Sequence, residues 1–244
     1  MRIEQNASLQ HLNSFGIQAR SRFLVELDST EDIQTFAHDR RFSDLPRLIV
    51  GGGSNLLLTR DFEGVVLRPM FRGIEYLGLD QDAHHIRARA GEPWHHLVQW
   101  TLGRGYPGLE NLSLIPGLCG AAPIQNIGAY GVELKDRFAG LTAASPSTGE
   151  STCFDAGACD FGYRRSRFKN QPMGGCLIVD ITLKLPCNWQ PTLEYPGLVK
   201  RLKDLHTDTP SAIAIGAAVC ALRRSKLPDP AAIGNAGSFF KNPI

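Results

Sequence analysis

Leu48-Ile49-Val50-Gly51-Gly52-Gly53-Ser54-Asn55-Leu56-Leu57-Leu58 is the stretch on which the fold turns. A three-residue apolar run, a buried-strand candidate, opens directly onto three glycines, a serine and an asparagine. Such a loop presents successive backbone N–H groups, a nest that binds phosphate or pyrophosphate. Consecutive glycines are costly to order, so a steric demand is expected to hold them there. A tight turn is the plainer reading of the same residue types. The residues after the loop exclude two phosphate-binding designs. A G-x-G-x-x-G dinucleotide fingerprint needs a helix next, whereas Asn55 to Arg60 runs into a turn at Asp61-Phe62-Glu63-Gly64 and a strand at Val65-Val66-Leu67. The Lys-Ser/Thr ending of a P-loop is also missing. Upstream, residues 28–39 predict a short helix capped by Asp28 or Ser29, with Glu31 and Asp32 in its first turn and Ile33, Phe36 and Ala37 as its apolar face. Residues 1–70 therefore read as a small α/β unit unlike the nicotinamide-binding fold.

Beyond it the pattern changes. Ile86-Arg87-Ala88-Arg89-Ala90 alternates like a half-buried strand. Pro93 starts a predicted helix with Trp94, Leu97, Val98 and Thr101 on one face, ended by Gly103 and Gly105. From Tyr106 to Gly131 the chain is rich in Gly, Pro, Asn and Ala, with Glu110 as its only charged residue. A long loop of that kind is expected to wrap a ligand. Strands are expected again at 138–144 and 176–185, and an amphipathic helix at 211–226. Pro228 and Pro230 mark a candidate domain boundary.

The 244 residues, 43% hydrophobic and 20% charged, have the composition of a folded protein of one large or two modest domains. A net charge of +2 gives no electrostatic footing for nucleic acid or an anionic membrane. No apolar run is long enough for a bilayer, and Met1 to Asn6 lacks the apolar core of a secretory signal, so a cytoplasmic protein is expected. The cysteines at 119, 153, 159, 176, 187 and 220 form no C-x-x-C pair and match no zinc spacing. They read as reduced side chains packed as small hydrophobes. In the pairs His84-His85 and His95-His96 adjacent side chains point apart on either a strand or a helix, so no metal site is expected.

The chain closes on Gly234-Asn235-Ala236-Gly237-Ser238-Phe239-Phe240-Lys241-Asn242-Pro243-Ile244. Glycines ahead of a lone serine permit close approach to a ligand, and the hydroxyl can exchange a proton if its neighbours tune it. Together with Val50 to Asn55, this ending, Gly108-Leu109-Glu110-Asn111, Ile115-Pro116-Gly117, Pro123 to Gly131, Phe161-Gly162-Tyr163-Arg164 with Ser166 and Phe168-Lys169, and Lys226-Leu227-Pro228-Asp229-Pro230 resemble the UDP-N-acetylenolpyruvoylglucosamine reductases, the MurB enzymes of peptidoglycan synthesis. The resemblance runs along nearly the whole chain in order. Tyr195 within Leu193-Glu194-Tyr195 resembles the longer, type I branch.

The resemblance implies an α+β fold. It implies a two-subdomain FAD-binding domain of the vanillyl-alcohol oxidase type over residues 1–70 and 71–227, with 228–244 starting a substrate-binding domain. It implies that NADPH reduces FAD and that a hydride then passes to the enolpyruvyl ether of a UDP-sugar, whose enolate-like form is protonated to the lactyl ether. Ser238 matches the proton donor and Arg164 the catalytic arginine; an arginine beside Tyr163 could also simply stack on it. Tyr195, Lys226 and Asn242 match substrate contacts, although Lys226 suits a helix C-terminus in any protein. Gly51, Gly52, Gly53, Ser54 and Asn55 would hold the FAD pyrophosphate. Pro116, Gly117, Gln125, Asn126, Ile127 and Gly128 would line the rest of the flavin. A monomer is expected.

The resemblance also implies a catalytic glutamate in a later segment, which no residue here matches, and about a hundred further residues of substrate domain. A chain ending at Ile244 is expected to be strongly impaired as a reductase while keeping some flavin affinity. A non-catalytic flavin-binding remnant and a flavin oxidase of other specificity are the competing readings. The Lys226 to Asn242 block argues against the oxidase.

Overall fold

The computed structural model describes residues 1–169, 175–204 and 210–237. In chain order β1 (Arg2–Ser8) and β2 (Arg20–Leu27) lead to α1 (Thr30–His38), β3 (Arg47–Ile49) and β4 (Phe62–Pro69). Then come β5 (Ile74–Asp80), β6 (Ala83–Arg89) and α2 (Trp94–Leu102), the short pair β7 (Gly128–Ala129) and β8 (Val132–Glu133), and β9 (Phe138–Ala144), β10 (Ser151–Asp155) and β11 (Leu177–Pro186). Two helices complete the order, α3 (Pro196–Asp204) and α4 (Ala212–Lys226). Among the described residues no helix is long and apolar enough to cross a membrane.

The first sheet has the order β1-β2-β4-β3, with β4 parallel to both neighbours and β1 antiparallel to β2. Val65, Val66 and Leu67 of β4 are all fully buried because both faces of that strand are covered. Val65 and Leu67 pack with Ile33, Phe36 and Phe42, while Val66 meets Leu24, Val50 and Leu58 on the other side. A continuous apolar run is what a parallel strand buried on both faces requires. Complete burial of each such side chain contributes about 1.5–3 kcal/mol. Ser29 caps α1 by accepting from the Asp32 N–H at 3.2 Å.

The second sheet, β10-β9-β11-β6-β5, is antiparallel throughout. One face packs on α2, where Trp94, Leu97 and Val98 meet Ile86, Ala88, Ile181 and Leu183. Ala90, Ala144, Leu177 and Val179 join the core of the first sheet, so the sheets abut. The chain passes from β3 to β4 through residues 50–61, and this crossover carries the glycine loop to the edge of that junction. On the far side Leu198 and Leu202 of α3 pack on Ile215, Ala218 and Val219 of α4.

Seven elements have no counterpart among the sequence expectations: β1, β2, β5, β7, β8, β10 and α3. One packing expectation is corrected. Cys119 and Cys159 are buried, but Cys153 and Cys187 are exposed, on β10 and just past β11. The 106–131 segment, expected to wrap a ligand, also builds the core. Leu109, Asn111 and Leu112 are fully buried. The buried Glu110 accepts from the Gly108 N–H at 2.6 Å and the Trp189 indole at 2.7 Å.

Candidate active site

The glycine loop is held from outside by the β1–β2 connection. Gly53 has φ +64°, and a Cβ there would overlap the carbonyl oxygen of Leu12. Its own carbonyl accepts from the Ser14 N–H at 3.1 Å. Among the described residues nothing accepts from the N–H groups of Gly51 to Asn55, so five successive donors stay available to a ligand, the property a phosphate nest needs. The Asn55 side-chain amide donates to Gln125 Oε1 at 3.0 Å, joining the loop to a residue 70 positions away.

The opposite wall is the 106–131 segment. Gly117 O accepts from the Trp94 N–H at 3.0 Å, and the N–H groups of Cys119 and Gly120 donate to Glu92 O and Ala90 O. Asn126 has φ +45° and no exposed surface. Its Nδ2 donates to Glu133 Oε2 at 3.1 Å and Gly162 O at 3.0 Å, and its Oδ1 accepts from the Lys135 N–H at 3.0 Å. The Asn126 side chain therefore supports the wall from behind.

Arg164 Nη2 donates to Gly128 O at 2.6 Å, and Nη1 lies 3.7 Å from Glu133 Oε1. A Cβ on Gly128 would sit 2.7 Å from that Nη1, so only glycine lets the guanidinium lie against this strand. The guanidinium also stands 5.1 Å from the Tyr163 ring centroid, so stacking and presentation to the cleft coexist. Four of the seven described non-glycine residues with positive φ are Leu114, Asn126, Tyr130 and Arg164, all around this cleft. Strained backbone collects where the surroundings fix a site.

The cleft has four chambers that share walls. One of about 330 Å³ lies over Gly51 to Asn55, with Pro116, Gly117, Gln125 and Ile127 opposite. A second of about 260 Å³ continues between the sheets past Ala90, Phe168 and Ile178. A third, about 640 Å³, is lined by Ser14, His95, Pro116, Gly117, Arg223 and Gly237, among others. The fourth, about 130 Å³, brings Ser54, Gln125, Gly128, Arg164, Arg223 and Gly237 around one space. Lys226 Nζ donates to the Tyr195 hydroxyl at 3.0 Å, and Tyr130 stands edge-on to Tyr195 at 4.9 Å, a cluster outside the lining of these four chambers. The Tyr195 hydroxyl holds Lys226 above its usual pKa, and burial does the same to Tyr130. Ser238 and Asn242 lie outside the described residues.

A family described as FAD binding domain matches residues 21–152. The UDP-N-acetylenolpyruvoylglucosamine reductase of Paraburkholderia phytofirmans is 50% identical over 95% of this chain, which covers 68% of that protein. The chain belongs to the UDP-N-acetylenolpyruvoylglucosamine reductase family. The crystal structure of the MurB reductase from Thermus caldophilus matches all of this chain and 76% of its own, with a TM-score of 0.70 at 24% identity. A VAO-type flavoprotein from Myceliophthora thermophila shares the fold over 68% of this chain and 32% of its own, with a TM-score of 0.51 at 11% identity. The fold is thus the α+β FAD-binding type.

The residues present fit the flavin that this family's domain binds. The donor-rich loop suits a pyrophosphate, and the cleft continues from it into the chamber walled by Ser14, Ser54 and Gly117. Four lining or supporting residues escaped the sequence reading as members of the site: Ser14, His95, Glu133 and Arg223. Arg223, whose Nε donates to Leu114 O at 3.1 Å, lies three residues before Lys226 and so on the same helix face, the one signal that could have found it. Ser14 and Glu133 carried no sequence signal, and the His95-His96 pair suggested only a metal site, which its geometry disfavours.

His95 Nδ1 accepts from the Leu114 N–H at 3.0 Å, and Nε2 faces Cys220 Sγ at 4.0 Å. Burial, reinforced by Arg224 and Arg223, pushes its pKa below the usual 6.5. The folded chain thus resists a proton that the unfolded chain accepts. The stability gained is present above about pH 6.5 and is lost as pH falls through the lower folded value. His95→Gln, which can still accept from Leu114, is expected to flatten the fall of the urea midpoint between pH 7.5 and 5. A midpoint curve parallel to that of the unsubstituted protein would contradict this.

Proposed function

We propose that this protein reduces the enolpyruvyl ether of a UDP-N-acetylglucosamine enolpyruvate to the lactyl ether of UDP-N-acetylmuramate, with FAD as cofactor and NADPH as reductant, in the cytoplasm and as a monomer. The supporting observation is the convergence in one small chamber of the phosphate loop, the Arg164 guanidinium and Gly237, the residue that leads into Ser238.

FAD, when bound, supplies the hydride chemistry; the chain does the rest. The free N–H groups of Gly51 to Asn55 hold the pyrophosphate, with Pro116, Gly117, Gln125, Ile127 and Gly128 against the remainder of the cofactor. Arg164 keeps its charge at any working pH. Fixed in place by Gly128 O, it offers its remaining N–H groups to the negative charge that develops on the substrate's carboxyl-conjugated carbon. Preorganised donors of this kind contribute about 10²–10³ in rate. Ser238 gives its hydroxyl proton to that carbon. Tyr195, Lys226 and Asn242 bind the diphosphate.

The test separates the two half-reactions by stopped-flow absorbance of the flavin. Ser238→Ala is expected to slow substrate-dependent reoxidation about 10²–10⁴-fold while NADPH reduces the flavin at the unsubstituted rate. Equal losses in both steps would remove Ser238 as proton donor. A protein that retains flavin yet oxidises no NADPH in response to substrate would overturn the reductase reading in favour of a flavin-holding domain.

A further inference from the structure

We propose that Ser14 is a positioning residue that couples the phosphate loop to the segment leading into Ser238, so that flavin held by the first steadies the second. The proposal rests on the flavin reading above. Ser14 lies in the β1–β2 connection, distant in sequence from both partners. Its N–H donates to Gly53 O at 3.1 Å, and its carbonyl accepts from the Asn235 N–H at 3.0 Å. The two polar groups of one residue are thus shared between the two loops that frame the cleft.

The turn holding Ser14 is rigid. Asn13 is buried, its Oδ1 accepting from the Ile17 N–H at 3.0 Å and its Nδ2 donating to Leu9 O at 2.9 Å and Ile17 O at 3.0 Å. The partner segment is likewise tied together. Asn235 Oδ1 accepts from the Gly237 N–H at 2.9 Å, and its Nδ2 donates to Ile233 O at 2.7 Å and Pro228 O at 3.1 Å. A displacement of Asn235 therefore reaches Gly237, the neighbour of Ser238. The contact is flush, since a Cβ on Gly234 would overlap the Phe15 carbonyl oxygen.

The Ser14 hydroxyl adds an independent observation. It is buried without a protein partner among the described residues, and Ser14 lines the same chamber as Ser54, Asn235 and Gly237. A ligand filling that chamber therefore touches the residue that joins the two loops together with both loops themselves. Coupling between sites is reciprocal and typically amounts to 5–150-fold in affinity.

Amide hydrogen exchange on the unsubstituted chain, with and without saturating FAD, tests this. Exchange at Asn235 is expected to slow at least about 5-fold with FAD. The Gly149 amide, bonded to Ser145 O in the β9–β10 turn, is expected to keep its rate. Gly234→Ala, which lifts the segment off the turn without touching Gly53, is expected to raise the FAD Kd at least about 5-fold by the same linkage. Flavin binding with unchanged exchange at Asn235 overturns the coupling. Failure of the unsubstituted chain to bind FAD overturns the cofactor reading instead. If Gly234→Ala does not fold, the exchange comparison decides alone.

Discussion

Gly53→Ala is expected to purify without flavin and to melt on the order of 10 °C below the unsubstituted protein, the shift that about 3–5 kcal/mol produces in a chain of this size. Two costs combine. A non-glycine residue at φ +64° is strained by about 1–3 kcal/mol. The added methyl also overlaps Leu12 O, and backbone held in place by the Asn13 side chain cannot swing aside as a flexible side chain would. Relief requires the loop to leave its bed, which breaks the Ser14–Gly53 hydrogen bond and scatters the five free N–H groups. The ratio of absorbance at 450 to 280 nm, with a thermal melt, reads both effects, wavelengths being those of about the flavin and aromatic maxima. A yellow protein melting within about 2 °C of the original, less than 1 kcal/mol, would show that the loop adapts.

Asn126→Ala is the second large effect. Three hydrogen bonds disappear at a site with no access to water, and one of them serves the Glu133 carboxylate. Leaving the Lys135 N–H unpaired costs about 1–3 kcal/mol, while Gly162 O keeps the Arg165 N–H at 3.0 Å, so a total of about 2–3 kcal/mol is expected from urea unfolding with an unchanged m-value. Asn126→Asp keeps the shape but sets a second carboxylate beside Glu133, and is expected to be at least as damaging near neutral pH. A loss below about 1 kcal/mol for the alanine variant would mean that the wall stands without this amide.

Elements with a strong local pattern were legible. The strand expected at 138–144 runs over those residues, and α4 begins after Ser211, whose hydroxyl accepts from the Ala214 N–H. α2 buries Trp94, Leu97, Val98 and Thr101 as its spacing implies. Of the strands that were missed, β2 carries the apolar run Phe23-Leu24-Val25, whereas β1, β5 and β10 lack such a pattern. β1 exposes most of its residues and takes its register from β2; β5 and β10 are sheet edges facing solvent. At the site, Gly51 to Asn55, Gln125, Gly128 and Arg164 stand in motifs, and the structure brings them round adjoining chambers. Ser14 and Glu133 were invisible, and His95 stood out only as half of a histidine pair, because their importance lies in what they touch across the fold. Nothing local marks Ser14 as the residue between Gly53 and Asn235.

The parallel pairing of β4 bears on how the molecule is made. β2 and β4 pair in parallel, Phe23 opposite Val65 and Val25 opposite Leu67, and such distant pairings form slowly because loop closure precedes their reward. The glycine loop belongs to the crossover between β3 and β4 and is bedded on the β1–β2 connection, so it has no shape until all four strands of that sheet have found one another. Capture of the cofactor then acts as a final inspection: only a chain whose slowest pairing is complete can hold it, and each chain that does is withdrawn from the unfolding equilibrium by the binding energy.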